Sequence, residues 1–124
     1  MLFRSIESLM KVLSVIHMLY VQEMKRAINF YVNALGFTCE EESEFWSSLV
    51  SENGKIGLTT YGEFNEFKLT NLILEVDDYD EALKRIKEFG GIISEEHQPY
   101  EGAPIHNAEI IDTENNGIVI SKKL

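Results

Sequence analysis

The chain has 124 residues, 44% of them hydrophobic and 26% charged, a mixture that suits one folded domain with a sizeable core and excludes a disordered or fibrous protein. Eleven basic against 21 acidic residues give a formal net charge of -10, a field that repels phosphate backbones and anionic lipid, so neither nucleic acid nor a membrane is an expected partner. Cys39 is the only cysteine, which excludes an intramolecular disulfide and a thiolate metal cluster and fits a reducing cytoplasm.

Residues 1–9 read as an extension or a mis-assigned start, because Met10-Lys11 also makes a natural beginning; the single domain is expected over 10–124. Lys11 followed by the apolar run Val12 to Tyr20 has a superficial signal-peptide look. That run contains Ser14 and His17, lacks a small-residue cleavage site and falls well short of the roughly 20 residues of a membrane span. Its alternation instead predicts a strand from Val12 to Val21, with Leu13, Val15, His17, Leu19 and Val21 on one face and Val12, Ser14, Ile16, Met18 and Tyr20 on the other.

Met24, Ala27, Ile28, Tyr31, Ala34 and Leu35 then follow the spacing of one helix face, and Gly36 ends the helix. Cys39 belongs to a short strand after it. With no His or Asn in a recognisable pattern around it, it reads as a small strand residue rather than a nucleophile. Asn53-Gly54 is a two-residue hairpin signal joining a strand at Phe45 to Val50 with one at Lys55 to Tyr61. That loop would pair Val50 with Gly57, Ser48 with Thr59 and Trp46 with Tyr61, and opposed residues share a face.

The second half repeats the first without gaps: Leu19, Val21, Ala27, Gly36, Glu40 and Glu41 recur as Leu74, Val76, Ala82, Gly91, Glu95 and Glu96. A strand from Thr70 to Val76 puts Leu72, Leu74 and Val76 on one face and Asn71, Ile73 and Glu75 on the other. The following helix carries Tyr79, Ala82, Leu83, Ile86 and Phe89, opens with Asp78 and Glu81 at capping-box spacing, and stops at Gly90-Gly91. His97 and His106 bracket the loop-rich segment HQPYEGAPIH as surface or pocket-rim residues, neither with a partner at ligand spacing. Asn115-Asn116-Gly117 turns the chain into a last strand, Ile118 to Ser121. Module one thus covers about 11–61 and module two about 68–124.

The repeat, with YVQEMKRAINFYVNALGF in one copy and LEVDDYDEALKRIKEFGG in the other, resembles the vicinal oxygen chelate superfamily of glyoxalase, bleomycin-resistance and dioxygenase-like proteins. The resemblance implies an α+β fold of two tandem βαβββ modules, whose curved mixed sheet surrounds a cavity with the helices outside. Homodimers are common among such proteins, so a homodimer is expected. Metal-dependent members usually take ligands from the positions that match Ile16, Gly57, Asn71 and Val119. Only Asn71 among these carries a donor, a neutral amide, whereas a functional site needs about three ligands from His, carboxylate or thiolate. No metal and no cofactor are therefore expected. His17, one residue from a ligand position, reads as a partly buried histidine between sheet and helix.

With the Gly57 face toward the cavity, Met18, Tyr20, Trp46, Ser48, Thr59, Tyr61, Asn71, Ile73 and Glu75 become candidate ligand-binding residues, an aromatic and apolar wall with a few polar groups. Glu75 is the one weak catalytic candidate, as a general base. The favoured reading is a metal-independent binder of a planar or cationic compound. The alternatives are a lyase, isomerase or dioxygenase-like enzyme, using Glu75 or a non-standard metal site, and a structural dimer whose cavity is filled by its own side chains.

Overall fold

The computed structural model describes residues 9–62, 66–102 and 104–123. Nearly all of the proposed extension at 1–9 lies outside this range. Module one runs β1 (Ile16–Tyr20), α1 (Met24–Leu35), β2 (Thr38–Glu42), β3 (Trp46–Val50) and β4 (Lys55–Thr59). Module two repeats the order with β5 (Lys68–Val76), α2 (Tyr79–Glu88), β6 (Ile92–His97), β7 (Asn107–Ile111) and β8 (Asn116–Lys122). Each module makes one four-stranded mixed sheet, ordered β1-β4-β3-β2 and β5-β8-β7-β6, so the α+β fold of two βαβββ units is present. Neither sheet closes, and β1 and β5 each hold one open edge.

The core lies between the sheets and the two helices, which pack on each other. Period-two sequence builds it: Leu19 and Val21 from β1, Leu49 from β3, Ile56 and Leu58 from β4, and Ile118 and Ile120 from β8 are buried against Ala27, Phe30, Tyr31, Ala82 and Ile86. His17 sits half-buried on this helix-facing row, as its parity requires.

Both helices begin and end as their residues dictate, but they are capped differently. In α2 the Asp78 side chain accepts from the Glu81 backbone N–H at 3.1 Å, with Asp80 and Glu81 in the first turn and Arg85 and Lys87 in the last. Helix α1 has no side-chain cap of its own. Glu114, in the turn before β8, accepts instead from the Gln22 and Glu23 backbone N–H groups at 2.9 Å each and from the Arg26 guanidinium at 2.7 Å. Asp112 in the same turn accepts from the Tyr31 hydroxyl and from the Glu114 and Asn116 backbone, while the Asn116 amide donates to the Tyr20 carbonyl. Module two's last turn therefore holds the start of module one's helix. At the other end Gly36, at φ 74, adopts the left-handed conformation; its N–H donates to the Val32 carbonyl and the Phe37 N–H to that of Tyr31.

Three local expectations are corrected. The first strand is paired only over Ile16–Tyr20, because β4, its one neighbour, begins at Lys55 opposite Ile16; residues 12–15 run on without a ladder. The hairpin loop is longer by two residues: Val50 pairs with Lys55, Ser48 with Gly57 and Trp46 with Thr59, and Ser51 donates to the Gly54 carbonyl across the turn. A shift of two preserves the face of every side chain, so the sorting survives while the partners change. The gap-free repeat also slips by one residue after the helices, since Cys39 and Ile93 occupy equivalent ladder positions, as do Glu41 and Glu95.

Candidate functional site

The side of each sheet away from the helices is its open face, and ladder register gives its contents row by row. In module one a row runs Met18, Gly57, Ser48, Glu41, and the next runs Tyr20, Thr59, Trp46. In module two the matching rows run Ile73, Val119, Glu109, Glu95 and then Glu75, Ser121, Asn107, His97. Met18 and Ile73 oppose Gly57 and Val119 respectively, so the two copies of the expected ligand position are structural equivalents.

Of the nine residues expected to bind ligand, Met18, Tyr20, Trp46, Ser48 and Thr59 are brought together on the open face of module one. Met18 and Tyr20 are exposed there, Trp46 is half-buried, and Ser48 and Thr59 are buried. Tyr61 is not on this wall. Because Trp46 pairs with Thr59, the strand has already ended, and Tyr61 stacks on Phe45 with ring centroids 5.2 Å apart. Asn71, Ile73 and Glu75 lie on the exposed side of β5, where Asn71 takes a φ of 61 within an irregularity of the β5–β8 ladder. Glu75 is solvent-exposed, so water stabilises its charge and burial supplies no argument for a ligand beside it.

Gly57 explains the shape of module one's face. A Cβ built there would lie 2.1 Å from the far edge of the Trp46 indole, which shows that the ring lies across Gly57 and uses the space a side chain would take. A glutamate could not occupy position 57 with Trp46 in this rotamer. Val119 is apolar, Ile16 is an exposed hydrocarbon, and Asn71 supplies a neutral amide. The four positions do not fit a metal ion.

Module two contains what sequence reading missed. His97 has partners after all: its Nε2 lies 2.8 Å from Glu109 Oε2, and Glu95 completes a group whose ligand-type atoms lie within 4.8 Å of one another. The hydrogen bond to Glu109 holds the imidazole above its ordinary value of 6.5. A β-bulge between Ile93 and Glu95 turns both Glu95 and His97 to the open face, and no sequence parity rule announces it. Glu96 is thereby sent to the other side, where it accepts from the Tyr79 hydroxyl at 3.0 Å. His106 lies there too, its ring tilted against Tyr79 with centroids 4.6 Å apart. Cys39 lies on β2; burial, then the nearby Glu42 charge, raise its thiol above the ordinary range, the opposite of an activated nucleophile.

A cavity of about 580 Å³ opens beside the hairpin, lined by Leu13, Val15, His17, Phe37, Val50 and Leu72 among others. None of the nine candidate ligand-binding residues lines it.

Two copies of a βαβββ unit with open sheets define one fold class, and residues 12–120 match the family described as Glyoxalase/Bleomycin resistance protein/Dioxygenase superfamily. The chain belongs to this family. Among solved structures it is similar to a member of the same superfamily from Sphaerobacter thermophilus, with 20% identity over 93% of this chain and 100% of that one and a TM-score of 0.73. It is also similar to lactoylglutathione lyase from Agrobacterium tumefaciens, with 13% identity, 90% and 95% coverage and a TM-score of 0.69. A third is the bleomycin-binding protein of the bleomycin producer Streptomyces verticillus, solved with copper(II)-bleomycin, with 14% identity, 94% and 100% coverage and a TM-score of 0.64. No curated protein sequence matches the chain. At these identities the likeness carries the fold and not the chemistry.

Proposed function

We propose that this protein binds a planar or cationic organic compound on the open face of module one, without a metal at the four family positions. The observation that carries the reading is the Trp46 indole laid over Gly57. A position that would hold a ligand side chain holds the ring, and the result is an aromatic floor bordered by Met18 and Tyr20. Flat apolar surface with a few hydrogen-bonding groups is the usual make-up of a small-molecule site. The bleomycin-binding neighbour supports the reading by showing that this fold can serve as a binder.

The site is completed in a homodimer, in this reading. Leu13 is 92% exposed, Val12 75% and Leu69 74%, and they lie along or ahead of the open edge strands β1 and β5. Exposed hydrocarbon beside open strand edges favours association. Light scattering at micromolar concentration should give twice the chain mass; a monomer would count against it. The single cysteine is consistent with a cytoplasmic setting.

A second reading, a lyase or isomerase with Glu75 as base, draws on the carboxylate's place on the open face opposite Ser121 and on the lactoylglutathione lyase neighbour. Thermal-shift screening of chelator-washed protein against planar aromatic cations and metal-free bleomycin separates the readings. A binder is stabilised by such compounds without consuming them. A protein stabilised by none of them fails the binder reading.

A further inference from the structure

We propose that Glu95, His97 and Glu109 form a divalent transition-metal site on the open face of module two, away from the Trp46 wall and using none of the four family ligand positions, although Glu109 pairs directly with Val119. The three residues come from adjacent antiparallel strands: Glu95 lies directly opposite Glu109 in the β6–β7 ladder, and His97 lies one row further along the same face. Their ligand atoms lie within 4.8 Å of one another, and His97 Nε2 is 2.8 Å from Glu109 Oε2. Small rotations of exposed side chains would bring them to the roughly 2.0–2.2 Å at which zinc takes imidazole nitrogen and carboxylate oxygen.

Three features point to a cation rather than to chance crowding. The β6 bulge is the device that puts Glu95 and His97 on one face; in regular pairing both would turn toward the helices. Opposed like charges destabilise a ladder, and among the described residues no Lys or Arg pairs with Glu95 or Glu109, which leaves His97 as the one offset. Asn107, opposite His97 on this face, also keeps a buried side-chain oxygen that accepts no hydrogen bond. Buried acceptors are ordinarily satisfied, so this oxygen keeps an open lone pair on the face that carries the group, though it is not one of the three ligands. Module one has the same bulge, at Glu40, but there Glu41 faces Ser48 and Glu40 pairs with Lys55 at 3.0 Å. The donor set belongs to module two alone.

One imidazole and two carboxylates suit zinc or a neighbouring first-row ion. Their exposure makes the ion exchangeable and leaves coordination positions free for water or an organic donor.

The test is calorimetric titration of chelator-washed, full-length protein with zinc chloride, with cobalt(II) absorption as a report on nitrogen ligation. One equivalent should bind. His97→Ala and Glu109→Gln should each weaken binding by at least about tenfold, since loss of a direct ligand should cost no less than loss of an outer-shell partner. Cys39→Ser should bind as the parent does. All three positions are surface-accessible, and melting curves establish that the variants fold. Absence of zinc binding up to millimolar concentration, full affinity in His97→Ala or Glu109→Gln, or dependence on Cys39 would each overturn the site. None of these outcomes touches the organic-ligand reading, which is measured in chelator.

Discussion

The two modules are copies of one backbone with opposite surfaces. Module one presents Met18, Tyr20 and an indole lying across Gly57, a neutral aromatic floor, whereas the equivalent rows of module two present Glu75, Ser121, Asn107, His97, Glu95 and Glu109. The helices differ in the same spirit: α2 is capped by its own Asp78, while α1 depends on Glu114 from the other module. Duplication thus conserves the core face, where any change disturbs packing, and frees the open face, where chemistry can diverge. The dependence of α1 on Glu114 also binds the copies into one cooperative unit.

The largest effect should come from breaking that dependence. Glu114→Ala removes an acceptor of charge-assisted hydrogen bonds whose side chain is fully buried, and Arg26, about half exposed, recovers part of the loss through water; about 3 kcal/mol of stability should disappear in guanidinium unfolding. Asp78→Ala, the local cap of α2, should cost about 1 kcal/mol. Equal costs would mean that the two helices are capped equivalently.

The acid limb sharpens the same contrast. Burial opposes ionisation of Glu114, but the hydrogen bonds from Arg26, the Glu23 backbone and Thr113 outweigh it, so its folded pKa lies below the ordinary 4.5. Its stabilisation is full above that value and is lost as pH falls through the lower folded one. Asp112 has the opposite sign, because burial raises it and protonation relieves the cost. Glu114→Gln should therefore flatten the loss of stability below about pH 4.5, and an unchanged acid limb would place the titration elsewhere.

Installing the missing family residue tests the floor of module one. Gly57→Glu should clash with Trp46 and destabilise by about 1–3 kcal/mol, and Trp46→Ala in the same chain should relieve most of that cost. Additive losses in the double variant would show that the ring does not occupy the space above Gly57.

The smallest effect concerns His97. Its imidazole should titrate above the ordinary 6.5 by NMR and fall back toward it in Glu109→Gln. Any stabilisation from the pair is present below pH 6.5 and lost as pH rises through the higher folded value.

Much of this was legible in the sequence. Period-two and helical spacing placed both helices, most strands and the faces of Leu19, Val21, Leu72 and Ile73. What failed was register. Asn53-Gly54 suggested a two-residue loop, but Ser51 closes the turn on Gly54, and Tyr61 left the wall as a result. The bulge at Ser94 hid the meeting of Glu95 and His97 with Glu109 on the open face, because one extra residue reverses parity without any mark in composition. The Glu114 latch was equally hidden, since its partners lie some ninety positions away.

The central claim is that module one's aromatic face binds an organic compound without metal. Calorimetric titration of chelator-washed protein with a planar aromatic cation of the acridine type measures it directly, beside the same titration of folded Trp46→Ala. Saturable binding that chelator leaves unchanged and that Trp46→Ala weakens by several-fold or more is the expected result, because aromatic contacts add about 0.5–1.5 kcal/mol beyond the area they bury. Binding that appears only after divalent metal is added, or that Trp46→Ala retains in full, would contradict the claim.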